Sequence, residues 1–412
     1  MVVNSPLTSQ RSILVKILVA HNYYRSAQPS GEDSVVRQEM GLLEAAGHQV
    51  GHFARHSDDI AGMPPARKTL VPLGVVHSPS ARRDLARLLA RDRPDVLHVH
   101  NTFPLLSPSI LLAARDAGVP VVMTLHNYRM FCADGTFLRD GKPCTDCLSG
   151  AGPLPGLRHG CYRGSVAATL PLTLSIGVHR ALGTWTHGVT KFVVMSAFAR
   201  DLFASQGLDP DRITVKPHFV PAAAPDDVSV TPDDAPVVYL GRLSPEKGPD
   251  VLLDAWQDSF GPLLMIGDGP QRPALEAQVA RRGLRTVEFL GALPRAEAMS
   301  RLGRARLLVN SSRVFETFGL SVVEGFAHGL GAVVPDQGVF PELTGDDGAA
   351  VTFRSGDPES LARVLSGVLE PGVAHRMGRA ALRRHASRYG AADNLRQLET
   401  VYAEAIAAGV PA

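Results

Sequence analysis

Short apolar runs of four to eight residues recur along the chain, separated by longer stretches in which apolar positions return every three to four residues. The first run is ILVKILVA (13–20), followed by a helical pattern over 33–46 that stops at Gly47. DVLHVH (95–100) precedes a helical stretch near 107–117, and VPVVMTLH (119–126) and KFVVMS (191–196) complete the first half. The second half repeats the scheme with PVVYLG (236–241), PLLMIG (262–267), VEFLG (287–291), ARLLVNS (305–311) and GAVVP (331–335). Strands buried on both faces read as unbroken apolar runs, and helices between them supply the covering layers. The pattern therefore predicts an α/β chain built on parallel sheets.

Residues 221–236, PAAAPDDVSVTPDDAP, break the alternation and carry no period, as a linker does. The predicted organisation is a loose tail (1–11), a doubly wound domain (12–220), the linker, and a second doubly wound domain (237–390). A last helical pattern, 391–408, follows the final strand-like segment and is able to cross back to the first domain. A length of 412 residues suits two domains. Two such domains would face across a cleft, with ligands beyond the carboxyl ends of the strands.

Composition narrows the partners. The chain is 45% hydrophobic and 20% charged, with 42 Lys+Arg against 40 Asp+Glu, so bulk charge gives no argument for a nucleic-acid partner. The first apolar run is interrupted by Lys16 and is too short to cross a bilayer or act as a secretory core, and a cytoplasmic location is expected. The helical stretch SARRDLARLLARDRPD (80–95) carries Arg82, Arg83, Arg87 and Arg91 and could make a peripheral membrane contact; Asp84 and Asp92 dilute its charge and favour a solvated face.

The candidate chemistry lies at strand ends. After VVYLG comes RLSPEKGPD, in which Arg242 and Lys247 flank a turn and a helix start suited to a diphosphate. After PLLMIG comes DGPQ, where Gly267 and Gly269 allow a tight turn; Arg272 stands where a dinucleotide fingerprint would need its third glycine. In SSRVFETFGLSVVEGFAHG (311–329), Gly319 and Leu320 open a helix whose first N–H groups are free for an anion. Glu316 precedes that helix and Glu324 lies within it, placed to accept hydrogen bonds from hydroxyls on either side of the anion. Glu324 sits among Val322, Val323, Gly325 and Phe326, and a carboxylate in such surroundings needs a partner.

GRLSPEKG, GDGP and ETFGLSVVEGFAHG, in that order, resemble the large retaining glycosyltransferase family, of the family 4 type, that includes bacterial glycogen synthases, sucrose synthases and phosphatidylinositol mannosyltransferases. NYYRSAQPSGEDSVVRQEMGLLEAAGHQV looks like that family's first loop and helix. The resemblance implies the GT-B fold, two Rossmann-like domains facing across a cleft. It implies a donor diphosphate held by Arg242 and Lys247, a donor sugar touched by Glu316, and phosphates met by the backbone at Gly319 and Leu320. Ribose hydroxyls would lie on Glu324, and Gly31 would let the first loop approach the phosphates. Gly241 and Gly267 fall in the donor-binding turns, Leu293 in GALP would meet the base, and His126 would stand near the donor sugar. The implied activity is retaining transfer from a nucleotide-diphosphate sugar to a carbohydrate, lipid-linked or small-molecule acceptor, with no catalytic metal. A sugar-nucleotide epimerase or hydrolase, or a nucleotide-sugar-binding module without turnover, are the alternatives.

Four cysteines, Cys132, Cys144, Cys147 and Cys161, all lie in one thirty-residue stretch with the spacing C-x11-C-x2-C-x13-C. In a reducing compartment such a cluster points to a structural zinc. Free thiols packed as small hydrophobes, or a redox pair at 144 and 147, are the other readings. The stretch 132–165 forms an insertion after the strand bearing His126.

Overall fold

The computed structural model describes residues 14–26, 30–224 and 232–411. The expected tail and the middle of the linker lie outside them. The first domain holds β1 (Lys16–Tyr23), β2 (Gln49–His56), β3 (Val96–Val99), β4 (Val121–Thr124), a small hairpin of β5 (Leu138–Arg139) and β6 (Lys142–Pro143), β7 (Lys191–Val194) and β8 (Ile213–Val215). The second holds β9 (Val237–Leu240), β10 (Leu263–Ile266), β11 (Val287–Gly291), β12 (Leu307–Val309), β13 (Gly331–Pro335) and β14 (Ala350–Phe353).

Both large sheets are six-stranded and parallel, in the orders β2-β1-β3-β4-β7-β8 and β11-β10-β9-β12-β13-β14. The chain is α/β with GT-B architecture. Each order reverses once, between β1 and β3 in the first sheet and between β9 and β12 in the second. A crevice opens at such a reversal, because the helices leaving the two strands go to opposite faces. In the second domain this places the loop after β9, which carries Arg242 and Lys247, beside the loop after β12, which carries Glu316.

Apolar clusters cover both faces of each sheet. The helix Ala391–Ala408 lies on the first sheet, where Leu398, Val401, Tyr402 and Ala405 are buried against Ile17, Val19, Val96 and Val122. Burying Leu398 and Val401 contributes on the order of 1.5–3 kcal/mol each, which ties the end of the chain to its beginning. The domains also meet directly. The Glu342 carboxylate accepts hydrogen bonds from the Ala197 and Phe198 N–H groups at 2.9 and 2.6 Å, capping the first-domain helix Ala197–Ser205.

Three strands of the two large sheets escape the apolar-run reading: β2, β8 and β14. All three are sheet edges, where burial is partial and the apolar run is short or broken. Gly31 is the first residue of the helix Gly31–Ala45, not a loop residue. The basic helix runs Pro79–Asp92 and turns Ala81, Leu85 and Leu89 inward. Arg82 pairs with Asp116 and Arg91 with Asp92, Asp84 is shared by Arg55 and Arg87, and Arg83 donates to the Pro79 carbonyl.

Candidate functional site

The loops after β9, β10 and β12 pack backbone to backbone. Gly267 adopts φ +134°, and a Cβ there would stand 1.9 Å from the Gly241 carbonyl oxygen. The short turn Pro245–Lys247 is closed by Gly248 at φ +58°, where a Cβ would come within 2.2 Å of the Ser311 carbonyl oxygen. Ser311 Oγ donates to the Lys247 carbonyl at 3.2 Å, Ser312 Oγ to the Glu246 carbonyl at 3.1 Å, and Arg313 forks onto Asp250 at 2.8 and 2.6 Å. The two strand ends are thereby fastened to each other.

This fastening sets the chemistry. Lys247 Nζ lies 2.5 Å from Glu316 Oε1, which also accepts from Ser312 Oγ at 2.8 Å. Arg242 is exposed at the neighbouring turn and, among the described residues, forms no ion pair; its carbonyl accepts from the Tyr239 hydroxyl at 2.9 Å. Gly319, buried at φ +78°, starts the helix Leu320–Ala327 with no side-chain cap. The first N–H groups of that helix carry its positive dipole end. Gly31 belongs to the other domain, yet its position faces Leu320: a Cβ on it would touch Leu320 Cδ2 at 3.0 Å. Leu293 is half-buried against the second-domain core, alongside Leu290, Met299 and Leu320.

Glu324 is 4% exposed. Its partner is Arg295, whose Nη1 donates to Oε1 at 2.6 Å from the start of the next helix in space, Arg295–Leu302. Burial raises the Glu324 carboxyl above its usual range, against the opposing pull of Arg295. The sequence demands such a partner without naming it; Arg295 lies 29 positions upstream and only the fold brings it near.

His126 stands at the end of β4 on the first-domain wall. Its Nε2 meets His100 Nδ1 at 2.9 Å, its ring stacks on His218 at 5.1 Å, and its carbonyl accepts from Thr317 Oγ1 of the second domain at 3.0 Å. Behind it lies a buried polar cluster that sequence reasoning did not pick out. Lys216 Nζ bonds Glu39 Oε2 at 2.9 Å and Asn394 Oδ1 at 3.1 Å, and His98 bridges the Tyr402 hydroxyl and Thr124 Oγ1, each at 2.8 Å. Burial lowers His98 to about 4 and His218 to about 3, and depresses His100 and His126 well below the ordinary histidine value. These rings are neutral at pH 7. Glu39 is kept charged: burial acts to raise its carboxyl, and the charge and hydrogen bond of Lys216 oppose it and hold it below its usual value. The available signal was the alternation of His98 and His100 in DVLHVH, which puts both on one face of β3.

Glu32, next to Gly31, was likewise missed. Burial raises its carboxyl to about 8, so it is protonated at neutral pH, and its Oε2 accepts from the Tyr24 hydroxyl at 3.1 Å. A cavity of about 70 Å³ opens on the first-domain side of His126, lined among others by Asn101, Phe103, Arg129, Ile176 and Trp185. All four cysteines line a second, smaller cavity.

Comparisons with known proteins bear on the family and the fold. The family model described as "Glycosyl transferase 4-like domain" matches residues 30–218, and that described as "Glycosyl transferases group 1" matches residues 225–384. A phosphatidylinositol N-acetylglucosaminyltransferase subunit of Arabidopsis thaliana is 25% identical over 287 residues, 68% of this chain and 55% of that protein. D-rhamnosyltransferase WbpZ of Pseudomonas aeruginosa is 30% identical over 153 residues, 36% of this chain and 40% of that protein. The matched segment thus spans about half the length of these relatives. Among solved structures, the sucrose-phosphate synthase of Thermosynechococcus elongatus superposes with a TM-score of 0.69 at 17% identity, covering 95% of this chain and 99% of that one. HepE of Anabaena, solved in complex with UDP, gives a TM-score of 0.64 at 17% identity, covering 94% and 99%. The two family models account for both domains in the order the two sheets occur, and the chain belongs to the GT-B glycosyltransferases of the family 4 type.

Proposed function

We propose that the chain transfers a sugar from a nucleotide-diphosphate donor to a hydroxyl acceptor, with retention of anomeric configuration and without a catalytic metal. The observation that carries this reading is the Lys247–Glu316 pair, fastened across two strand ends beside an uncapped helix start. Without donor, the ammonium and carboxylate satisfy each other. An arriving diphosphate takes over Lys247, joined by Arg242 and the N–H groups at Leu320 and Ser321. Glu316 is then free to accept hydrogen bonds from the donor sugar, while Glu324, held by Arg295, accepts from the ribose.

Cleavage of the anomeric C–O bond builds negative charge on the diphosphate, and fixed donors aimed at that charge stabilise it. The acceptor oxygen bonds to the anomeric carbon on the face the diphosphate leaves, and its proton passes to the departing phosphate oxygen. His126, neutral and held by His100, offers the sugar a hydrogen-bonding edge rather than a charge. HepE of Anabaena has been solved with UDP-glucose, a donor of the proposed class.

A lipid-linked acceptor at an anionic membrane fits the first domain best. The helix Val166–Ala181 lines the 70 Å³ cavity with Leu172, Ser175 and Ile176 and exposes Val166, Leu170 and Leu174 on its other face. Leu70, Leu73, Leu154 and Leu182 are exposed too. No Asp or Glu occurs between Asp146 and Asp201, whereas Arg158, Arg163 and Arg180 do and are exposed. An apolar stripe edged by cations suits an anionic leaflet.

The test is acceptor-dependent release of nucleoside diphosphate across a panel of nucleotide sugars, with and without EDTA. Wild-type turnover should survive EDTA, and Lys247→Ala should lose about 10²–10³ in kcat, the usual cost of one oxyanion-type donor. Near-native rates in that variant remove Lys247 from the site, and release without acceptor indicates hydrolysis or epimerisation instead. Leu170→Glu/Leu174→Glu should abolish sedimentation with phosphatidylglycerol vesicles and spare turnover of a soluble acceptor; a wild type that ignores such vesicles overturns the membrane reading.

A further inference from the structure

The insertion after β4 carries four thiols for which the transfer chemistry has no use. They reach one small cavity from four separate pieces of backbone. Cys132 sits at the start of a tight turn, and Cys144 follows the β5–β6 hairpin. Cys147 lies in the short helix Asp146–Leu148, and Cys161 follows the helix Leu154–Arg158. None is in a disulfide. Phe137, Asp140 and Arg163, three of the five non-glycine residues at positive φ among the described residues, fall within this insertion. Such backbone costs on the order of 1–2 kcal/mol per residue, so something must hold the loops in place.

We propose that Cys132, Cys144, Cys147 and Cys161 bind one zinc ion as a tetrahedral tetrathiolate, and that this centre positions Arg129 on the acceptor-side wall of the cleft. The cavity lined by the four cysteines is about 10 Å³. That is room for a single ion or water and too little for an iron–sulfur cube. The N–H groups of Asp134, Gly135 and Phe137 converge on the Cys132 sulfur, and that of Gly156 on the Cys147 sulfur. Four thiolates and Zn²⁺ carry a net charge of −2; Arg139 also lines the cavity, with its guanidinium paired to Asp146 at 2.6 Å. Binding releases the four thiol protons to solvent; no oxidation or reduction occurs.

The only set of three or more His, Cys, Asp or Glu residues with ligand atoms within 4.8 Å of one another, among the described residues, is Glu39, His98 and His100. Lys216 already occupies the cation position there, so that cluster is a poor metal site. No three cysteine sulfurs are as close, and a Zn–S length of about 2.3 Å requires side-chain rotations that draw them inward.

The link to Arg129 is direct. Its guanidinium donates to the carbonyls of Ala133 at 3.0 Å and Asp134 at 3.4 Å, immediately after Cys132. It also lies 4.4 Å from the Phe103 ring and 5.9 Å from the ring of Tyr162, the neighbour of Cys161. Two of the four ligands therefore flank the groups that hold Arg129 over the 70 Å³ cavity.

The full chain, purified without chelator, should contain about one equivalent of zinc by mass spectrometry. It should show no thiol reactive to Ellman's reagent until a strong zinc chelator exposes four. Refilling with cobalt should give thiolate-to-metal charge-transfer bands in the near ultraviolet. Cys144→Ser and Cys161→Ser, at the two partly exposed positions, should each lose most of the metal. They should raise the acceptor KM severalfold and leave nucleoside diphosphate affinity unchanged. Intact donor affinity separates this outcome from failure of the proposed transferase reading. Under a few tenths of an equivalent of zinc with four freely reactive thiols overturns the site, as does an iron chromophore. Full zinc retained in both variants overturns the four-thiolate site, and loss of zinc with an unchanged acceptor KM overturns the role given to Arg129.

Discussion

Replacing Arg295 by methionine isolates the electrostatics of the ribose end of the site. The substitution keeps the aliphatic bulk and removes the guanidinium that lies 2.6 Å from Glu324 Oε1. An unpaired buried carboxylate need not stay charged; it takes up a proton instead. The cost therefore has a ceiling, the free energy of protonating the group at the working pH. At about 1.36 kcal/mol per pH unit, a carboxyl of ordinary pKa 4.5 would bound that cost at about 3.4 kcal/mol at pH 7 and about 0.7 kcal/mol at pH 5, and burial, which already raises Glu324 in the wild type, lowers both bounds. Arg295 is 45% exposed, so solvent already screens part of the pair, and about 1–2 kcal/mol is expected at pH 7. For a domain of this size that is a Tm loss of roughly 2–8 °C. Burial already holds the folded pKa of Glu324 above its unfolded value, and losing Arg295 raises it further. The penalty is thus present at neutral pH and relieved as pH falls through the folded pKa. Paired thermal melts of wild type and Arg295→Met at pH 5, 6, 7 and 8 measure it directly. A Tm deficit that is the same at pH 5 and pH 8 would refute the reasoning, because packing loss has no such pH dependence. Nucleotide affinity should weaken in the same variant, since a protonated Glu324 accepts fewer hydrogen bonds from ribose hydroxyls.

Three further outcomes are expected. The buried histidines take up protons in the unfolded chain near pH 6.5 but resist them when folded, His98 down to about 4 and His218 to about 3. Stability should therefore fall as pH drops below 6.5, each ring adding up to about 1.4 kcal/mol per pH unit; urea midpoints unchanged between pH 7 and pH 5 would contradict this. Glu342→Gln should loosen the cross-domain cap on Ala197–Ser205 at a cost of about 1 kcal/mol, raising the donor KM more than it lowers kcat; an equal fall in kcat and kcat/KM would count against a role in domain closure. Gly267→Ala should cost several kcal/mol or prevent folding, since its Cβ would overlap the Gly241 carbonyl; a soluble variant with wild-type Tm would show that this contact yields.

The sequence alone determined the architecture and singled out the candidate side chains at the strand ends of the second domain. Buried parallel strands need apolar runs, and β1, β3, β4, β7, β9, β10, β12 and β13 announce themselves this way; of the edge strands β11 is legible despite Glu288, whereas β2, β8 and β14 are not. Arg242, Lys247, Glu316 and Glu324 were legible because each lies within a few residues of a strand end or helix start, where local geometry limits what a side chain can do. The partners were decided only by the tertiary structure. Arg295 reaches Glu324 over 29 positions, Lys216 reaches Glu39 over 177, and Tyr402 reaches His98 over 304. No local period encodes such pairings, because they depend on how the strands are ordered in the sheet and on where the last helix comes to rest. The four cysteines fall between these cases: their spacing is local enough to single them out, but their convergence on one cavity follows from a hairpin, two turns and a short helix folding around one another.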